Sequence, residues 1–131
     1  MNTLTLTQSE TLLCASIAHT LNELWRKAHG EYAQGAWDTL TPERQDRAIN
    51  GVGKCLELYN AGHTNVAEMS SLMHDNWVAY MQGNGWVYGE VQDETLKTHP
   101  CMVPMDQLPD FQKHKDTFIP TAVHLVAAYR P

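Results

Sequence analysis

Apolar residues recur along this chain at steps of three and four, and the steps fall into four runs. From about Gln8 to His29, the positions Leu13, Ile17, Leu21, Leu24 and Ala28 draw one stripe, with Thr7 or Ser9 in front as a cap and Gly30 just behind. A second run opens at Thr41-Pro42, a capping hydroxyl followed by a ring whose fixed φ suits a first helical residue. It carries Ile49, Val52, Leu56 and Tyr59 and closes at Ala61-Gly62. A third begins at Thr64 or Asn65, puts Val66, Met69, Met73, Trp77 and Tyr80 on one face, and stops at Gly83-Asn84-Gly85. The last opens at Leu108-Pro109-Asp110 and carries Phe111, Phe118, Ala122, Leu125 and Tyr129. Pro120 lies inside that pattern, where a missing N–H and a ring clash favour a break near Phe118–Pro120 and two short helices.

The pattern predicts a mainly α fold: a compact bundle of four to five helices. Between the third and fourth runs the helical period lapses, and residues 84–109 hold two aromatics, two glycines and three prolines. Here the expectation is a long ordered loop or short β-hairpin, with an extended pair around Trp86–Val91 and Cys101–Val103. Ordered loops of that length in small domains are usually functional.

Length and composition narrow the picture. At 131 residues one domain is expected, spanning 1–131, and it can bury a core without staples. The formal net charge is -6, and the nine lysines and arginines are scattered along the chain. Arg44, Arg47 and Lys54 are interleaved with Glu43, Asp46 and Glu57, a solvated mixed face and not the basic stripe that a DNA or RNA duplex requires. No run of 18 apolar residues spans a membrane, and the first residues have no signal-peptide character. Cys14, Cys55 and Cys101 have no CxxC spacing and read as reduced thiols in a cytoplasmic protein. Seven histidines without HxH, HxxxH or HExxH spacing argue against a metal centre. No cofactor is implied.

The loop carries the candidate chemistry. Trp86 and Tyr88 alternate about Val87, so an extended backbone throws both rings to one side, where they can stack on a planar ligand or plug the core. Lys97, Thr98 and His99 offer an ammonium, a hydroxyl and an imidazole within three residues, a set that suits an anionic group or, equally, a solvated turn. His74, Asn76 and Trp77 sit on the preceding helix. Cys101 and His99 lack a third member that would make a nucleophilic site.

The ordered set His74-x-x-Trp77, Gly85-Trp86-x-Tyr88-Gly89-x-Val91-x-Asp93, Lys97-x-His99-Pro100-Cys101-x-Val103-Pro104 and Leu108-Pro109 resembles the ryanodine-receptor repeat domain, the RyR domain, over about residues 70 to 128. Met105 stands where that family often carries an aromatic. On this resemblance the chain divides into an N-terminal helical part, 1–62, and an RyR-motif part, 64–130, of the stand-alone bacterial or phage type. The resemblance implies a binding module and not an enzyme. Trp86 would stack on a base with Tyr88 beside it, Lys97, Thr98 and His99 would face phosphate or ribose, and His74, Asn76 and Trp77 would line the helix side. The expected partner is a nucleotide or nucleotide-derived small molecule, such as an immune signal that a phage protein sequesters. The alternative is a protein-interaction or oligomerisation domain, a homo-oligomer included, that docks through the Trp86–Pro104 loop.

Overall fold

A computed structural model describes residues 3–30 and 34–129. Its elements in chain order are α1 (Gln8–Ala28), a 3-10 turn (Trp37–Thr39), α2 (Pro42–Asn60), α3 (Val66–Gly83), β1 (Val87–Tyr88), β2 (Thr98–His99), a second 3-10 turn (Met105–Gln107), α4 (Asp110–Lys115) and α5 (Phe118–Tyr129). The class is mainly α, as the apolar periodicity implies. No helix among the described residues is long and apolar enough to cross a membrane.

Local chemistry sets the helix ends. Thr7 caps α1 in a reciprocal box with Glu10: its hydroxyl accepts from the Glu10 N–H at 3.1 Å, and the Glu10 carboxylate accepts from the Thr7 N–H at 2.9 Å. Thr41 caps α2 with Pro42 as its first residue, and the Asn65 side chain caps α3. The anticipated break near Phe118–Pro120 falls slightly earlier, at Asp116-Thr117. Pro120 is then the third residue of α5, in the first turn, where its missing N–H leaves no helical bond unmade.

One core joins four helices: Cys14, Ala15 and Ala18 from α1, Val52 and Cys55 from α2, Met69 from α3, and Ala122 and Val123 from α5. Five of these eight are cysteines or alanines, which let the helices approach closely, and the Cys14 thiol lies 3.7 Å from the Ala122 carbonyl. This corrects the expected stripe of α1. Leu13 and Leu24 are 50% and 59% exposed, and the buried face runs through Cys14, Ala18 and Trp25. Tyr80 of α3 and Leu125 and Tyr129 of α5 are likewise exposed, while Ser70, His74 and Val123 are buried. The α2 stripe meets the core through Ile49, Val52 and Tyr59, and Met69 and Ala122 do so from α3 and α5, whereas the outer members of the α1, α3 and α5 stripes are rotated away from it.

The N-terminal segment is tied to the bundle by an amide clamp. Asn60 accepts from the Leu4 N–H at 2.8 Å and donates to the Leu4 carbonyl at 2.9 Å. The mixed charges of α2 are solvated: Arg47 and Glu43 pair at 3.2 Å with both side chains mostly exposed.

Candidate functional site

The candidate site is built where α3 ends and the chain turns back over it. Asn84 closes the helix, and Gly85 takes φ +86, a left-handed turn that a side chain would resist. That turn delivers the Trp86 N–H to the Met81 carbonyl at 3.0 Å, so Trp86 belongs to the helix-end turn and not to the following strand. Of the alternating pair, only Tyr88 lies within the strand. Trp86 is half-buried, while Tyr88 is 55% exposed.

β1 pairs with β2 in parallel, Val87 opposite Thr98 and Tyr88 opposite His99. The extended pair thus exists, but its second strand is Thr98–His99. The expected partner, Cys101–Val103, instead follows Pro100 through a turn closed by the Met102 N–H on the His99 carbonyl. A parallel pair on so short a connection must be pinned from within. Asp93 and Thr98 exchange backbone bonds of 3.0 Å each way, the Asp93 carboxylate accepts from the N–H groups of Thr95 and Leu96, and the Thr98 hydroxyl donates to the Val91 carbonyl at 2.8 Å. Gly89 is required by contact, since a Cβ there would lie 2.5 Å from the Thr98 Cβ.

Lys97 takes φ 55, rare for a residue with a side chain. Its ammonium donates to the Asn84 carbonyl at 2.9 Å, at the negative end of the α3 dipole. The Lys97 cation and the Thr98 hydroxyl both therefore have partners within the protein.

His99 is different. Its Nδ1 accepts from the Cys101 N–H at 3.0 Å, so the proton of the neutral ring sits on Nε2. The imidazole packs edge-on against Trp77 at 5.0 Å between centroids and against Trp86 at 6.5 Å. Burial first, then the nearby Lys115 and His74, holds its pKa below the usual histidine value, which favours this neutral form.

His74 continues the chain of rings, 5.7 Å from Trp77. It is buried, with Nε2 2.7 Å from the Val103 carbonyl and Nδ1 3.4 Å from the Asp116 carboxylate. Of the residues singled out from sequence, the fold therefore gathers His74, Trp77, Trp86 and His99. It sets Lys97 and Thr98 alongside, with their polar heads bonded to the Asn84 and Val91 carbonyls. Asn76 is exposed, and two helical steps from His74 carry it to the other side of α3. On the other flank of α3, Asp75, Val78, Gln82, Met102, Val103 and Pro104 border an open groove of about 270 Å³.

This arrangement draws its ordered residues from α3 through α5, and the family model described as the RyR domain matches residues 53–126, more than half of the chain. The chain belongs to the RyR domain family. The match begins in the middle of α2, earlier than the motif residues alone suggest. Two members of the RyR domain's polar cluster carry no local sequence signal. Asp116 reaches His74 only because the chain breaks between α4 and α5, and Val103 contributes a backbone carbonyl, which any residue type supplies.

Proposed function

We propose that this RyR domain is a binding module for a nucleotide-derived small molecule. The observation that carries the reading is the ring series Trp77–His99–Trp86, in which His99 keeps an Nε2–H after its other nitrogen is capped by Cys101. A half-buried indole offers a face to a base, and an Nε2–H offers a donor to a phosphate or ribose oxygen. Lys97 stands two residues before this donor, and its ammonium can exchange a neutral carbonyl for a phosphate, a stronger charge-assisted bond. Binding without turnover is supported by the spent nitrogens: His74 faces an acceptor on each side, and His99 has a backbone N–H where a catalytic base would have an orienting carboxylate. A role as a phage or bacterial sequestering agent for an immune signal needs only such stoichiometric binding. Reduced, buried Cys14 and Cys55 suit a cytoplasmic setting.

Thermal-shift screening against mononucleotides, NAD, ADP-ribose and cyclic oligonucleotides tests the reading, since a ligand of the folded state raises its melting temperature by mass action. Trp86→Ala is expected to cost a stacked ligand roughly 1–3 kcal/mol, about fivefold to more than a hundredfold in Kd by calorimetry, with the helical circular dichroism retained. Loss of the fold together with binding would make Trp86 a core residue and end the stacking idea. One observation favours a second reading: Val87, Tyr88, Val91 and Leu96 are all more than half exposed along the loop, an apolar surface suited to a protein partner. No melting shift with any nucleotide into the millimolar range would favour that partner.

A further inference from the structure

The buried imidazole of His74 meets acceptors on both edges. The Val103 carbonyl lies 2.7 Å from Nε2, and an Asp116 carboxylate oxygen lies 3.4 Å from Nδ1. Carbonyl and carboxylate oxygens only accept, so each contact needs a proton on the ring nitrogen. A neutral imidazole has one proton and must leave one nitrogen lone pair facing oxygen. An imidazolium satisfies both. The geometry points to a proton-operated latch: protonated His74 fastens the loop at Val103 and the α4–α5 junction at Asp116 onto α3, and loss of that proton releases one of the two.

The surroundings agree. Asp116 faces the ring from the α4–α5 junction, Asp75 is its neighbour on α3, and His99 lies beyond Trp77 on β2 with Lys115 acting on it from α4. The hydrogen bond to Asp116 raises the His74 pKa most, the Val103 carbonyl and the charges of Asp116 and Asp75 add to it, and burial opposes them. A histidine with a folded-state pKa above its unfolded value of about 6.5 contributes its full stabilisation below that value and loses it as pH rises through the folded pKa. The latch is closed on the acid side and opens toward alkaline pH.

What it fastens is adjacent to the rings. Val103 follows by two residues the Cys101 N–H that orients His99, so opening the latch loosens that wall. An effect on ligand affinity rests on the binding reading above; the latch itself does not, and it is tested without ligand. The experiment follows the imidazole resonances of the ligand-free full chain by NMR from pH 5 to 9, in the wild type and in Asp116→Asn. The expected result is a His74 titration above the ordinary 6.5 in the wild type and a lower one in the variant. Because an asparagine amide can donate to neutral Nδ1, the variant's melting temperature should also vary less between pH 6 and 8 than the wild type's. Should Asp116→Asn fail to fold, amide exchange of residues 102–108 in the wild type, corrected for intrinsic rates, should lose protection from pH 6 to pH 8.5. A wild-type His74 that titrates at or below 6.5, identical titrations in the two proteins, or unchanged protection overturns the latch.

Discussion

Gly89 and Thr98 show how one absent side chain holds the loop. The Thr98 side chain fills the space beside Gly89, and its hydroxyl bonds to Val91, so the two residues fix where β2 lies against β1. Gly89→Ala puts a methyl 2.5 Å from the Thr98 Cβ, and the strands must part to admit it. We expect destabilisation of about 1–3 kcal/mol, read as a fall of several degrees in melting temperature, together with lost amide protection at Val87 and Thr98. A Gly89→Ala protein that melts like the wild type would mean that the β1–β2 contact is looser than its geometry. Lys97 serves the same loop by its backbone: its carbonyl accepts from Val87 while its ammonium returns to Asn84.

Among the elements, spacing and not bulk decides which residues matter. α1 and α5 meet through Cys14, Ala18 and Ala122, while the large Leu13 and Leu24 look outward. Leu13→Ala and Leu24→Ala should each change stability by no more than about 0.5 kcal/mol in urea titrations, whereas Ala122→Leu should cost about 1–3 kcal/mol or more by forcing the helices apart. The reverse ranking would mean that the leucine stripe is the packed face. The contrast shows which features were legible in the sequence. Thr41-Pro42, Asn65 and Gly83-Asn84-Gly85 mark helix ends through chemistry that acts within a few residues, so they are readable. The face of a helix depends on which element covers it, and Leu13, Tyr80 and Leu125 carry no record of that. In the candidate site, the order of Trp86, Lys97 and His99 is legible as a family motif, and Trp77 and His74 fall on one helical face by spacing. The bond from Lys97 to Asn84 and the contact of His74 with Asp116 are not, because both require a turn or helix break whose direction local sequence leaves open.

The whole molecule rests on one core that buries two thiols. Burial raises the Cys14 thiol to about 11, with Glu10 adding to it, and the Cys55 thiol to about 12, with Cys14 adding to it. Both groups are more easily ionised in the unfolded chain, where a thiol has a pKa near 8.5. The unfolded state therefore sheds protons first, and stability is lost progressively as pH rises above about 8.5 toward the folded values. We expect the melting temperature to fall steadily from pH 9 to 11, and Cys55→Ala to flatten that fall even though it lowers the plateau near neutrality. An unchanged alkaline slope in the variant would assign the effect to other groups. This loss adds to that of the His74 latch but begins at higher pH, so a difference between wild type and Asp116→Asn below pH 8 isolates the histidine.

His99 lies between two of the chain's four tryptophans, and Trp25 and Trp37 sit elsewhere, on α1 and in the first 3-10 turn. The fold thus carries its own optical reporter. Trp77 and Trp86 emit from within the ring series itself, so whatever displaces, stacks on or protonates His99 changes the colour and yield of their fluorescence without any label being attached.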